Sequence, residues 1–283
     1  MNSKRNPLVR QGGTVAIFAA LCIVCVLFFT TVSCNASNEA NVESEIDDET
    51  SQNEFCVCEV VDCKVVDPEI DAYEFPIKPG TDEWYAIESI QDRFDASEIP
   101  DDVLAKISTA GLFEACLEYP FLSEISYSRD GFERMVERRN GLRELFERCD
   151  LPYVMINKYI WFNEEVENLR SLSSLEQGRF SFKNYVIEMM AARIVCNLNA
   201  EQEKELVLLA LERYEKMKDY SDIFGNSHMI PTAMFFSKII LKNDLADENT
   251  KNGLILFLQD PNIVSQKEID DNLKKYIVPK YKN

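Results

Sequence analysis

The chain has 283 residues, 46% of them hydrophobic, with 49 acidic side chains against 30 basic ones and a formal net charge of −19. That balance excludes the basic footprint with which nucleic-acid-binding proteins neutralise phosphates, and it disfavours docking on an anionic bilayer surface. A single histidine among the 283 residues excludes His-pair metal motifs, and with nine glycines in all neither a P-loop nor a dinucleotide fingerprint occurs.

Residues 14–33 carry no charge and follow Lys4, Arg5 and Arg10. A run of about 20 apolar residues is long enough to cross a bilayer as a helix. The basic residues before it and the acidic chain after it predict a cytoplasmic amino terminus and an exported body. The most apolar part is Val15–Phe29; Thr30, Thr31, Val32 and Ser33 then turn small and polar, which suits a processed signal better than a uniform span. An uncleaved amino-terminal helix and plain secretion are the alternatives. Val32, Ser33 and Cys34 resemble the end of a bacterial lipoprotein signal, in which a small residue precedes the modified cysteine; Thr31 stands where that family usually has an apolar residue. The resemblance covers residues 1–34. It implies that the Cys34 sulfur receives diacylglycerol, that cleavage makes Cys34 the first residue, and that acyl chains hold the protein on the membrane. Each buried methylene would contribute about 0.8 kcal/mol. It implies a bacterial cell-envelope address, at the outer membrane or cell surface.

Residues 34–54 read as an acidic tether without apolar period, the composition of a disordered linker. Between positions 35 and 83 lie 15 acidic and 2 basic residues, so most of the net charge belongs to this region. An acidic stretch directly after the cysteine resembles the export tags of surface lipoproteins in Bacteroidetes-like bacteria. Residues 55–83 form a Cys- and Pro-rich segment. Alternation across Phe55–Val66 predicts a short extended stretch, and Pro68, Pro76, Pro79 and Gly80 interrupt regular structure beyond it. Cys56, Cys58 and Cys63 have the spacing C-x-C-x4-C, which is not that of a zinc site, and no histidine is near. A disulfide among them is the expectation in an oxidising compartment. No metal and no cofactor are expected.

From Trp84 to residue 283 the period becomes helical. Asp82 is placed to cap a first helix. Pro100 opens a second, with Asp101 and Asp102 at its positive end, running to about Ile107. Thr109 is placed to cap a helix whose inner face is Leu112, Phe113, Cys116 and Leu117. Asp130 with Glu133 predicts a capping box ahead of Phe132, Met135 and Val136. Shorter stripes lie at Leu142–Phe146, Val154–Trp161 and Val166–Leu175. Phe182–Leu198 is the most apolar stretch and is expected to be the central helix. Asn199 is placed to cap a helix with Leu206, Leu209, Ala210, Tyr214 and Met217 inward. Pro231 starts a buried helix through Ile240; Thr250 opens one with Leu254, Ile255 and Leu258 inward; Ser265 with Glu268 caps the next. The expected fold is all-α: an irregular multi-helix bundle or short α-α superhelix of nine to eleven short helices. Ser108–Pro120, with Gly131-Phe132 after it, resembles a segment of uncharacterised exported all-α proteins of Bacteroidetes, which implies a helical fold and an envelope address but no activity.

Catalytic groups are sparse, and no catalytic residue is assigned. A Ser-His-Asp arrangement would have to use His228, and no G-x-S-x-G elbow exists. Cys116, Cys149 and Cys196 sit at apolar or helical positions, where cysteine is usually a small hydrophobe. Asp101-Asp102 and Glu164-Glu165 read as solvated helix ends. Arg134, Arg138, Arg139, Arg143 and Arg148 are interleaved with Glu133, Glu137, Glu144 and Glu147, the pattern of a salt-bridged face. The expected protein is a membrane-anchored binding module with a protein or glycan partner. The alternatives are an exported hydrolase with a carboxylate pair and a structural envelope component.

Overall fold

Side chains that accept from the free N–H groups of a first helical turn set most of the helix boundaries. The computed structural model describes residues 71–126, 130–225, 228–261 and 265–282. The apolar run, the acidic tether, Cys34, Cys56, Cys58 and Cys63 lie outside the described residues. Among the described residues there is no strand. The α-helices are α1 (Asp82–Ala86), α2 (Ile90–Asp95), α3 (Asp101–Leu104), α4 (Thr109–Leu117), α5 (Gly131–Arg138), α6 (Asn140–Glu147), α7 (Leu151–Glu165), α8 (Ser174–Ile194), α9 (Ala200–Asp219), α10 (Ser221–Phe224), α11 (Met229–Lys242), α12 (Glu248–Gln259), α13 (Gln266–Asn272) and α14 (Val278–Tyr281). The fold is an all-α multi-helix bundle. No helix of the described residues is long and apolar enough to cross a membrane.

Several caps fall one to three residues from the expected position. The Thr81 hydroxyl accepts from the Trp84 N–H at 3.3 Å, so α1 begins at Asp82, which is not itself the cap. Ser108 caps α4 by accepting from the Gly111 N–H at 2.9 Å, while the Thr109 hydroxyl donates to Asp150 at 2.6 Å. Asp247, not Thr250, caps α12. The box expected at Asp130 and Glu133 does not form. Asp130 makes no cap bond and pairs with Arg134 at 3.3 Å, while Glu133 meets Arg193 across to α8. The box at Ser265/Glu268 does form, Asn199 caps α9 as expected with Gln202 closing a further box, and Ser173/Glu176 adds another ahead of α8.

The first half of the body is built around α4, most of whose residues are buried. Residues 71–81 lie against it: Asp71 accepts from the Ser108 hydroxyl at 2.7 Å, and Phe75 meets the Tyr119 ring edge-on at 5.7 Å. Two of the clustered arginines act as ties within this half. The Arg139 guanidinium lies 4.0 Å from the Phe94 ring centre and pairs with Glu98 at 3.1 Å. Arg148 bonds Glu144 at 2.7 Å and donates to the carbonyls of Leu104 and Ile107 at the end of α3.

The second half packs the long helices α7, α8, α9 and α11 against one another. Val186, Ile187, Met190, Ala191 and Ile194 of α8 are buried, as the expected central helix requires. Between these helices lies a charge pair closed to solvent, Glu188 with Arg213 at 2.8 Å. The Arg213 guanidinium also lies 3.7 Å from the Phe162 ring centre, and Glu188 accepts from the Thr232 hydroxyl at 3.1 Å. Burial pushes the Glu188 pKa up, against the opposing pull of Arg213. Further along, α12, α13 and α14 cover the end of the bundle. They are tied by Tyr214 to Asp270 at 3.0 Å and by Tyr281 to Glu203 at 2.5 Å.

Candidate functional site

α12 is where the packing is least complete. Of its apolar side chains only Leu254 is buried; Ile255 and Leu256 are 44% and 66% exposed, and Phe257 and Leu258 are half-buried. The sequence period places Ile255 and Leu258 inward beside Leu254, but α12 has α11 as its main neighbour and leaves a gap toward α13. The gap is a cleft of about 420 Å³, a size within the usual range of ligand sites.

Three helices wall the cleft. α11 contributes Ala233, Phe236, Ser237 and Ile240; α12 contributes Thr250, Gly253, Leu254 and Phe257; α13 contributes Glu268, Ile269, Asp271 and Asn272. Phe236, Ile240, Leu254 and Ile269 are buried and form an apolar floor. The α12 wall is fixed at its amino end, where the Tyr276 hydroxyl donates to Thr250 at 3.3 Å and Lys275 pairs with Asp247 at 3.8 Å. Both ties come from a π-helical turn at Leu273–Ile277, directly after α13. The wider turn brings the consecutive residues Tyr276 and Ile277 both to buried positions.

The two charged residues lining the cleft are carboxylates, one turn apart on α13. Glu268 Oε2 accepts from the Ser265 N–H and hydroxyl, both at 2.8 Å. These bonds to the Ser265 backbone and side chain hold its carboxyl below the usual range. Glu268 is thus ionised near neutral pH and cannot serve as a proton donor there. A hydrolytic carboxylate pair needs one protonated member facing the other across the bond to be cut; side by side on one helix, Glu268 and Asp271 do not meet that requirement.

The other candidate groups have structural surroundings. Cys116 is buried, and burial pushes its thiol far above the ordinary value, away from nucleophilic chemistry. Cys149 and Cys196 are exposed. His228 stands immediately before α11; its Nε2 lies 2.8 Å from the Ser181 hydroxyl and 3.0 Å from the Ser181 carbonyl, and its ring meets Tyr185 and Phe224 edge-on. Asp101 and Asp102 are exposed in the first turn of α3, and Glu164 is exposed at the end of α7. Among the described residues no group of three or more His, Cys, Asp or Glu is arranged to hold a metal ion. The cleft residues carry no motif; the sequence signal for them is the surplus of apolar residues in Leu254–Leu258, five in a row where one helical face needs about half as many.

No protein-family model matches this chain, and neither the curated proteins nor the solved structures include a detectably similar one.

Proposed function

We propose that this chain is a membrane-tethered binding module of the bacterial cell envelope. In this reading Cys34 carries the lipid, residues 34–54 are the tether, and the helical body presents the α11–α12–α13 cleft to a protein partner. The observation that carries the binding role is the open cleft with an apolar floor between α11, α12 and α13, on a helix, α12, that also keeps Ile255 and Leu256 in solvent outside the cleft. Contiguous exposed apolar surface beside a concave site is the usual mark of a docking region. A protein partner suits the floor better than a glycan, because Phe236, Ile240, Leu254 and Ile269 offer no hydrogen bonds to sugar hydroxyls. The envelope address rests on the charge-free run, its basic flank and the Val32-Ser33-Cys34 ending.

Labelling intact cells with a palmitate analogue tests the tether: wild type should incorporate it and Cys34→Ala should not. A photo-crosslinking residue at position 257, which lines the cleft, tests the surface in the same cells. It should capture a discrete protein partner that the same residue at position 164, on α7, does not. Equal labelling of both chains ends the lipid-anchor reading, and equal capture from both positions ends the docking reading.

A further inference from the structure

The cleft combines an apolar floor with a wall of one charge sign. Its lining charges are Glu268 and Asp271, and no lysine or arginine lines it. Of the cations nearby, Lys251 pairs with Asp244 and Glu248 and Lys275 with Asp247, while Lys267 and Lys274 are exposed outside the lining. Gly253, on the α12 wall, has an ordinary helical backbone, and a Cβ there would meet nothing within 4 Å. Nothing in the backbone demands glycine, which in a helix interior costs about 0.5–1 kcal/mol relative to alanine. Its missing side chain leaves that position of the α12 wall unoccupied.

We infer that the cleft takes a basic peptide segment of a partner protein, with an apolar side chain on the Phe236–Leu254 floor and a lysine or arginine meeting Asp271 and Glu268. This rests on the cleft being the docking site. The charge argument is one of complementarity. An anionic occupant, such as a fatty acid, would bring a third carboxylate against two of the same sign, whereas a cation gains from both. The floor runs from Phe236 and Ile240 of α11 to Leu254 of α12 and Ile269 of α13, so a peptide with several apolar residues finds more contact than a single side chain does.

The test uses the full chain in nanodiscs of zwitterionic lipid and three fluorescent peptides, in which leucines are flanked by lysines, by serines or by glutamates. Anisotropy gives the affinities. The lysine peptide should bind about fivefold or more tighter than the serine peptide, and the glutamate peptide weakest. Asp271→Asn should weaken the lysine peptide about threefold, the scale of one exposed ion pair, and leave the serine peptide unchanged. Glu164→Gln, a carboxylate removed on α7, should change neither. Gly253→Trp should stop all three from binding. Equal weakening by Asp271→Asn and Glu164→Gln, or no preference for lysine, overturns the basic-peptide inference while leaving the cleft as docking site. Binding of no peptide, or undiminished binding to Gly253→Trp, overturns both. Hydrogen exchange on the wild-type chain gives a readout independent of that variant's folding: the lysine peptide should protect the amides of α12 and α13, and protection confined to other helices counts against the site.

Discussion

Arg213 of α9 and Glu188 of α8 meet at 2.8 Å with side chains 0% and 2% exposed, so this charge pair is sealed between four helices. Tyr159 and Phe162 of α7 lie against the guanidinium, and Thr232 of α11 donates to the carboxylate. Removing one member leaves the other charged and buried, which typically costs about 3–5 kcal/mol. Arg213→Met and Glu188→Gln should each lower the urea midpoint strongly. Arg213→Met with Glu188→Leu should recover a large part of the loss, because two apolar groups leave no charge unpaired. A double variant no more stable than either single one would contradict this account.

His228 is the only histidine, so titration near neutral pH can be assigned to it among side chains of its kind. Burial holds its pKa below the ordinary value, against the opposing bonds to the carbonyls of Ser181 and Phe224. With the folded pKa depressed, the unfolded chain binds the proton first as pH falls below about 6.5. Stability should therefore decline from about pH 7 toward the folded pKa, and His228→Gln should flatten that part of the curve. Urea midpoints across the range decide it; an unchanged slope in the variant would mean other groups carry the dependence.

Three glycines should respond to alanine in opposite directions. Gly178 of α8 and Gly253 of α12 are exposed, and a Cβ at either meets nothing within 4 Å. Gly178→Ala and Gly253→Ala should each stabilise by about 0.5–1 kcal/mol. At Gly111 the new Cβ would fall on Asp71, the residue that holds residues 71–81 to α4 through Ser108. Gly111→Ala should lower the melting temperature and expose the segment to proteolysis. A neutral Gly111→Ala would show that this contact yields readily.

Tyr281 of α14 donates to Glu203 of α9 at 2.5 Å, and Lys242 and Asn243 complete the shell at 3.0 Å each. Burial alone would raise the Glu203 pKa, but the Tyr281 hydroxyl and Lys242 bring it below the ordinary value. Hydrogen bonds to charged groups contribute about 1.5–3 kcal/mol, so Tyr281→Phe should destabilise on that scale. The loss should shrink as pH falls through the Glu203 titration, when the carboxylate no longer needs the donor. Chemical denaturation at several pH values measures both effects.

Helix existence was legible wherever one face carried the apolar residues, as at Leu206, Ala210, Tyr214 and Met217 of α9, which are all buried. Caps were legible when the competing partner was local. The Asn199 cap and the Ser265/Glu268 box form, whereas at Asp130/Glu133 the Glu133 carboxylate is taken by Arg193, sixty residues away. The Glu188–Arg213 pair had no signature at all, since a charge inside an apolar helix reads like one on its surface until the partner helix is placed. The cleft escaped for the related reason that a helical stripe reports which residues can be buried, not whether a neighbour arrives to bury them. Ile255 is the case in point, expected inward and found 44% exposed.

The bond between Glu203 and Tyr281 spans 78 residues of sequence. During synthesis, α9 can form soon after residue 219 leaves the ribosome, but its buried carboxylate has no tyrosine until residue 281 emerges. Over that interval Lys242 at the end of α11 and Asn243 after it are the partners already present for that charge. The order of emergence thus delays this tie between α9 and α14 until residue 281 is available.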